Sequence, residues 1–164
     1  MSKPGITIDI PGFGKVQINS ILTDYTGTLA FNGKLVAGVK DRLLRLAGLV
    51  DIHVVTADSF GTAEKELKGL PIVCRRLKGK NEDVQKRRYA LELNPRHVAS
   101  LGNGNNDRLH LKAVKEAGGL AIAVENGEGC ALEAILNANV LVAGAVNALD
   151  LLLEPTRLRA TLRF

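Results

Sequence analysis

The sequence predicts a single α/β domain, residues 1–164, built on a doubly wound, mainly parallel sheet. Strand-like apolar segments alternate with helix-like amphipathic segments along most of the chain, and this alternation is typical of parallel sheets with helical crossovers. Aromatic residues make up only 4% of the chain, so the core must consist mainly of Leu, Val, Ile and Ala. Such an aliphatic core suits strands that are buried on both faces.

The N-terminal segment predicts a β-hairpin followed by the first buried strand. Residues 6–10 and 15–18 are strand-like and flank a Pro-Gly-Phe-Gly turn. Residues 18–22 form an apolar run that ends at Thr23 and Asp24. We therefore expect Asp24 at the carboxyl end of the first strand of the main sheet.

Helices and strands alternate after this point. Val39, Leu43 and Leu46 have helical spacing, and Gly48 ends that helix. Asp58 and Asn81 are placed to cap two later helices. The further strands are predicted at 52–56, 71–74, 97–101, 120–124 and 140–142, and the further helices at 59–68, 82–93, 106–117, 131–136 and 145–153.

Composition narrows the classes of partner and compartment. The net charge is +5 and the pI about 9.4, but the basic cluster at 75–88 has only Tyr89 beside it for base stacking. We therefore do not expect nucleic acid as the partner, and a basic nucleic-acid-binding domain stays a third alternative that predicts strongly salt-dependent binding.

Cys74 and Cys130 have no metal or redox spacing. No signal peptide or membrane-length apolar run is present, so we expect a cytoplasmic protein without a membrane partner.

Ligands of doubly wound sheets bind beyond the carboxyl ends of the strands. Asp24, Thr56 and the loop 102–107 follow predicted strands, and each alone has an ordinary explanation as a turn or cap. Gly27 permits a sharp turn that brings backbone N–H groups near a phosphate. Lys86 could offset the charge of an anionic substrate, although nothing local separates it from Lys80. In the loop, Asn103 and Asp107 offer the hard oxygen ligands that Mg²⁺ prefers.

The order of these features is more specific than any one of them. The first strand is followed by Asp-x-Thr-Gly-Thr-Leu, and the second strand is followed by Thr56. A lysine on a predicted helix and the loop Gly-Asn-Gly-x-Asn-Asp come later in the chain. Over residues 20–112 this order resembles the haloacid dehalogenase-like superfamily, whose sheet is Rossmann-like. The match is closest to the phosphorylation domain of P-type ATPases, with its Asp-Lys-Thr-Gly-Thr signature, and it resembles the stand-alone soluble P-type ATPase group.

The resemblance implies a Mg²⁺-dependent phosphohydrolase with a phosphorylated substrate. Asp24 would be the nucleophile and form an aspartyl-phosphate that water hydrolyses. Lys86, Mg²⁺ and helix N-termini would supply the positive charge. The resemblance implies that the catalytic residues are Asp24, Thr26 and Lys86. It implies that Thr56, Ala57 and Gly27 bind the phosphate. The implied metal ligands are Asp24, the carbonyl of Thr26, Asn103 and Asp107.

Two residues depart from the superfamily pattern. Thr26 replaces the second Asp, which acts as general acid and base, and its hydroxyl cannot do so near neutral pH. We expect a rate loss of roughly 10²–10⁴ and a long-lived phospho-enzyme. Asn103 replaces an Asp, which lowers the charge available to Mg²⁺. Both changes leave open a second hypothesis, a catalytically weak phosphate-binding or regulatory module.

Spacing also predicts how the site is covered. Only 31 residues separate Asp24 from Thr56 and 29 separate Thr56 from Lys86, so no cap domain fits and the turn at 31–33 is the only flap. We expect a site open to water, suited to a large substrate such as a phosphoprotein, or covered by another subunit. The hairpin and the tail 154–164 are surplus to the alternating pattern, and we expect them to mediate homo-oligomer formation.

Overall fold

The fold follows the predicted alternation. A computed structural model describes residues 2–58 and 60–164, and its main sheet has six strands in the order β10-β9-β8-β3-β6-β7, every neighbouring pair parallel. The strands are β1 (Ile6–Ile10), β2 (Gly14–Ile18), β3 (Ser20–Thr23), β4 (Ala30–Phe31), β5 (Lys34–Leu35), β6 (Asp51–Thr56), β7 (Val73–Arg76), β8 (Val98–Gly102), β9 (Leu120–Glu125) and β10 (Val140–Ala143). The predicted doubly wound parallel sheet is confirmed.

Helices cover both faces of this sheet. They are α1 (Val39–Ala47), α2 (Thr62–Glu66), α3 (Glu82–Glu92), α4 (Arg108–Glu116), α5 (Leu132–Leu136), α6 (Ala145–Leu153) and α7 (Pro155–Leu162), with 3-10 turns at Pro95–His97 and Asn105–Asp107. In β3, Ile21 belongs to the larger hydrophobic cluster and Leu22 to a second cluster on the other side. Because successive side chains of a strand alternate between faces, β3 is buried on both.

The N-terminal hairpin of β1 and β2 forms as predicted, and the C-terminal tail packs against it. The tail forms α7, whose Leu158 is fully buried. Arg159 donates a hydrogen bond to the carbonyl of Asp9 at 2.9 Å, and the N–H of Phe164 donates to the carbonyl of Pro11 at 3.0 Å. The apolar sides of these two elements are therefore buried within one chain, and their predicted role in self-association stays a prediction.

Several element boundaries differ from the predictions. Helix α2 has five residues and begins at Thr62, later than the predicted start at residue 59, which lies outside the described residues. Asp58 still accepts hydrogen bonds from the N–H groups of Phe60 and Ala63. Asn81 is the residue before α3 but its side chain makes no capping hydrogen bond. Strand β7 lies two residues later than predicted.

The sheet order places three strand ends beside one another. Strand β3 lies between β6 and β8, so Asp24, Thr56 and Gly102 follow neighbouring parallel strands. Strands β4 and β5 form a two-residue antiparallel pair near this edge. No cap domain is present among the described residues, and this small hairpin contains the turn at 31–33, whose role as a flap stays a prediction.

Candidate active site

Asp24 lies on the wall of a cleft of about 560 Å³ at the carboxyl edge of the sheet. Its side chain is buried, and one carboxylate oxygen, Oδ1, accepts a hydrogen bond from the Nζ of Lys86 at 3.0 Å. The N–H of Asp24 donates to the carbonyl of Leu101 at 3.2 Å, which ties it to the neighbouring strand. The short strand β3 thus fixes the backbone, and Lys86 fixes the carboxylate.

Lys86 is a fully buried ammonium group between two carboxylates. Helix α3 carries it, and its Nζ donates to Asp24 at 3.0 Å and to Oδ1 of Asp107 at 2.8 Å. Lys80, the alternative that local sequence could not exclude, is exposed. The structure therefore assigns the position near Asp24 to Lys86.

Behind Lys86, a chain of buried polar groups continues to the centre of the sheet. Asp107 Oδ1 also accepts a hydrogen bond from the Nε2 of His110 at 3.0 Å, and the hydroxyl of Ser100 donates to the Nδ1 of the same ring. These partners fix the His110 tautomer, because a carboxylate can only accept. All three side chains are fully buried. Sequence reasoning missed Ser100 and His110.

The charges of this cluster do not balance. Burial raises the pKa of Asp24 to about 7, the charge of Asp107 adds to the increase, and Lys86 only partly offsets it. Burial opposes the ionisation of Asp107 too, but Lys86 and the His110 hydrogen bond hold its pKa well below the ordinary value. Burial lowers the pKa of His110, so the ring is neutral. With both carboxylates ionised, one ammonium group leaves a net charge of −1 beside the cleft.

The opposite wall of the cleft is formed by the end of β6 and the loop that follows. Thr56 is buried, and its Oγ1 accepts a hydrogen bond from the N–H of Asp58 at 3.1 Å. Thr56, Ala57 and Asp58 line the cleft together with Asp24 and the exposed Thr26. The predicted phosphate-binding pair Thr56 and Ala57 therefore faces the predicted nucleophile.

Gly27 lies in the turn that follows β3, and its role in phosphate binding stays a prediction. Its N–H donates to the carbonyl of Ala30 at 3.1 Å, so this group closes a turn rather than facing the cleft. Its φ is +71°, and a Cβ at this position would lie 2.3 Å from the Nδ2 of Asn103. Only glycine combines this backbone conformation with such close approach. Gly27 therefore makes room for Asn103.

The predicted metal ligands separate into two groups. Asp24, Thr26 and Asn103 line the cleft. Asp107 lies beneath it, since Oδ1 bonds Lys86 and His110 while Oδ2 accepts the N–H groups of Asn103 and of Gly104, each at 3.0 Å. The two oxygens of Asp107 therefore accept four hydrogen bonds beneath the cleft wall, and its role as a metal ligand stays a prediction.

The oxygen ligands left on the cleft wall suit a metal ion that binds few protein groups and completes its coordination with water. Asn103 Oδ1 accepts one hydrogen bond, from Thr28 Oγ1 at 3.2 Å, and an amide oxygen has a second lone pair. Within the described ranges no group of three or more His, Cys, Asp or Glu side chains is arranged to hold a metal ion. Mg²⁺ commonly binds through one or two protein carboxylates and several waters. The uncompensated negative charge at Asp24 and the oxygen of Asn103 fit that mode.

Solved structures share this fold over most of the chain. A 3-deoxy-D-manno-octulosonate 8-phosphate phosphatase from Moraxella catarrhalis, in complex with magnesium, phosphate and the sugar acid, is 19% identical with a TM-score of 0.63, covering 89% of this chain and 94% of that one. A cobalt-bound phosphatase of the same name from Haemophilus influenzae is 14% identical with a TM-score of 0.62 and 89% coverage of both chains. A protein from Legionella pneumophila, described as a HAD superfamily (subfamily III A) hydrolase, is 19% identical with a TM-score of 0.64 and 88% coverage of both. The chain therefore has the haloacid dehalogenase-like fold, as the motif order predicted.

A sequence relative identifies the family more closely. The uncharacterized protein MJ0073 of Methanocaldococcus jannaschii is 39% identical over 87 residues, which are 51% of this chain and 89% of that protein. The chain belongs to the same family as this archaeal protein. No profile of a described protein family matches the chain. In the described parts of the chain, no helix is long and apolar enough to cross a membrane.

Proposed function

We propose that the chain is a Mg²⁺-dependent phosphohydrolase that acts through an aspartyl-phosphate on Asp24. The observation that carries this proposal is the pairing of Asp24 with the buried Lys86 on the wall of an open cleft, opposite Thr56. A carboxylate held by a lysine and facing hydroxyl and N–H groups suits attack on a phosphoryl group. The HAD-like fold and the phosphatases among the similar structures support the same chemistry.

Two displacements at phosphorus complete the reaction. Oδ2 of Asp24, the oxygen that Lys86 does not hold, attacks the phosphorus, and the bond from phosphorus to the ester oxygen breaks. The leaving alkoxide takes a proton from water. Water then attacks the aspartyl-phosphate at phosphorus, the bond to Asp24 breaks, and inorganic phosphate leaves.

The chain's own residues prepare this reaction by position and charge. Lys86 fixes the direction of the Asp24 carboxylate and offsets part of its charge when the anionic substrate arrives. Asp107 and His110 hold Lys86 in that position. The Thr56 hydroxyl and the N–H of Ala57 lie where they can donate to the phosphoryl oxygens across the cleft. These roles are proposals from the cleft geometry.

Mg²⁺ would be held by Asp24, the carbonyl of Thr26 and Asn103, and would supply charge neutralisation for the phosphoryl group. The magnesium- and cobalt-bound structures of the same fold support this assignment. Asn103→Asp adds a carboxylate at the cleft, and we expect it to bind Mg²⁺ roughly tenfold more tightly in a calorimetric titration. No gain over the wild type would count against Asn103 as a ligand.

Thr26 makes turnover slow in this proposal. It lies exposed on the cleft wall, where the superfamily pattern has the general acid. Without that acid the leaving group must take its proton from solvent, and the phospho-enzyme persists, as in P-type ATPases. The relation to that subgroup, the open cleft's preference for a large phosphorylated substrate, and homo-oligomer formation are further parts of the proposal.

Hydrolysis of para-nitrophenyl phosphate with Mg²⁺ tests the function. We expect slow release of nitrophenolate that disappears in Asp24→Asn and on addition of EDTA, and a stable phospho-enzyme in acid-quenched samples. Asp41→Asn, an exposed carboxylate on α1, is the matched control and should keep full activity. Activity that survives in Asp24→Asn would refute the proposed nucleophile.

A catalytically weak phosphate-binding module is the second candidate. It is favoured by Asn103, whose amide is held by Thr28 and by the carbonyl of Gly129 and brings no charge. Beryllofluoride with Mg²⁺ should raise the melting temperature for both candidates. A rise without measurable turnover would select the binding module.

A further inference from the structure

Glu128 lies beside the residues that would hold Mg²⁺, on the loop that follows β9. Its side chain is exposed and does not line the cleft. We propose that the carboxylate of Glu128 belongs to the metal site and raises the affinity for the cation through its charge rather than as a direct ligand. The inference rests on the proposed Mg²⁺-dependent phosphohydrolase function and deepens it, because it adds a residue that controls metal binding.

The proposed ligands on the cleft wall offer little negative charge to a divalent cation. Asp24 is the carboxylate among them, and Lys86 offsets part of its charge at 3.0 Å. Asn103 and the carbonyl of Thr26 would contribute neutral oxygens. Mg²⁺ in proteins commonly binds through one or two carboxylates, and a further negative charge close to the ion strengthens its binding.

Glu128 is close to two of these proposed ligands. A Cβ at Gly27 would lie 3.0 Å from the Oε2 of Glu128 and 2.3 Å from the Nδ2 of Asn103, so the carboxylate and the amide lie against the same backbone position. The Thr26 carbonyl belongs to the peptide bond that joins Thr26 to Gly27. The negative charge of Glu128 therefore lies next to both residues that would supply neutral oxygens.

The loop holds this carboxylate in place. The Oε1 of Glu128 accepts a hydrogen bond from the N–H of Asn32 at 3.2 Å. The Oε1 of Glu125 accepts the N–H groups of Gly127 at 2.7 Å and Gly129 at 3.1 Å. These glycines stand on either side of Glu128, so hydrogen bonds fix the backbone from which its side chain projects.

The same loop is bonded directly to Asn103. The N–H of Ala131 donates to the carbonyl of Asn103 at 2.7 Å, and the Nδ2 of Asn103 donates to the carbonyl of Gly129 at 3.3 Å. Among residues 2–58 and 60–164, no cationic side chain forms a salt bridge with Glu128. Its charge is therefore held near Asn103 and is not neutralised by a neighbouring cation.

A charge series at position 128 tests the inference without substrate or turnover. Glu128→Gln makes the position neutral and keeps an oxygen that can accept the Asn32 N–H, and Glu128→Lys makes it positive. In calorimetric titrations with Mg²⁺ at low ionic strength, we expect the affinity to fall roughly threefold at each step. Both steps should shrink at high salt, because exposed charges are screened.

Two further sets of variants separate charge from position. Glu133 is exposed on α5 and does not line the cleft, so Glu133→Gln and Glu133→Lys should leave the Mg²⁺ affinity almost unchanged. Glu128→Ala also removes the acceptor for the Asn32 N–H, and it should match Glu128→Gln if the charge is what matters.

The inference would be overturned by unchanged affinity in Glu128→Gln and Glu128→Lys, by equal losses in the Glu133 series, or by a loss confined to Glu128→Ala. Absence of Mg²⁺ binding to the wild type would overturn it as well. Hydrolysis of para-nitrophenyl phosphate by the wild type reports separately on the proposed function, so the two can fail independently.

Discussion

Asp24 and Asp107 share one lysine, and this arrangement should make the metal-free protein sensitive to pH. The pKa of Asp24, about 7, exceeds its ordinary 3.8. A raised folded-state pKa contributes stability that is complete below the ordinary value and is lost as pH rises through 7. The metal-free protein should therefore lose stability from this group between pH 4 and 8.

Asp24→Asn removes that ionisation. In EDTA we expect the variant to be more stable than the wild type by about 1–3 kcal/mol at pH 8, and the advantage to be clearly smaller at pH 5, where Asp24 is protonated in the folded state but still ionised in the unfolded chain. Urea denaturation at the two pH values measures both differences. A stability difference that does not change with pH would contradict the raised pKa.

His110 should contribute to stability through Asp107. His110→Leu leaves a buried carboxylate oxygen with one donor fewer, which costs about 2–4 kcal/mol. His97→Leu removes a half-buried histidine whose Nδ1 bonds the carbonyl of Gln17, and it should cost less than about 1 kcal/mol. Urea denaturation measures the free energy of unfolding of both variants. Similar losses would show that the buried contact between His110 and Asp107 does not stabilise the fold more than an ordinary contact.

At the scale of single residues, the sequence predicts some members of the candidate site and not others. Asp24, Thr56 and Asn103 could be predicted because each follows a predicted strand, whereas the order of motifs pointed to a helical lysine without separating Lys86 from Lys80. Ser100 could not be predicted, because a serine inside an apolar strand contacts His110 only after β8 and α4 pack together. For Asp107 the sequence shows the carboxylate but not the four donors around it, because these come from separate elements of the fold.

At the scale of elements, the turn after β3 depends on Gly27. Gly27→Ala would place a methyl group against Asn103 in a left-handed backbone conformation, and we expect a loss of about 2–4 kcal/mol and of phosphate binding. Gly61 has nearly the same φ, +72°, with nothing within 4 Å of a Cβ. Gly61→Ala should therefore cost only about 1 kcal/mol. Equal losses in thermal unfolding would mean that strain alone, and not the contact with Asn103, requires glycine.

Boundaries of elements were predicted less well than their existence. Helix α2 begins later than predicted, and Asp58 accepts hydrogen bonds from the N–H groups of Phe60 and Ala63, a pairing that local sequence does not reveal. Helix α7 was not predicted, because residues 154–164 continue no alternating pattern. Its stability comes from the hairpin on which it packs, which is distant in sequence.

For the whole molecule, the contact between the two chain ends should be an integral part of the fold. Leu158→Ala opens a cavity between α7 and the hairpin, and we expect a loss of about 2–4 kcal/mol. Leu136→Ala on α5, where the side chain is 70% exposed, should change stability by less than about 0.5 kcal/mol. Differential scanning calorimetry distinguishes the two, and a negligible effect of Leu158→Ala would show that the tail is an accessory segment.

The buried chain from Asp24 to Ser100 also has a consequence for folding. Its members come from the end of β3, from β8, from the 3-10 turn at Asn105–Asp107 and from helices α3 and α4, and Lys86 lies 62 residues from Asp24 along the chain. No contiguous fragment shorter than about half the molecule contains the cluster, so the site exists only when the central sheet has been assembled with its α3–α4 layer. Amide hydrogen exchange at Asp24, Lys86 and His110 should consequently report one cooperative opening event, and loss of activity in denaturant should coincide with global unfolding rather than precede it.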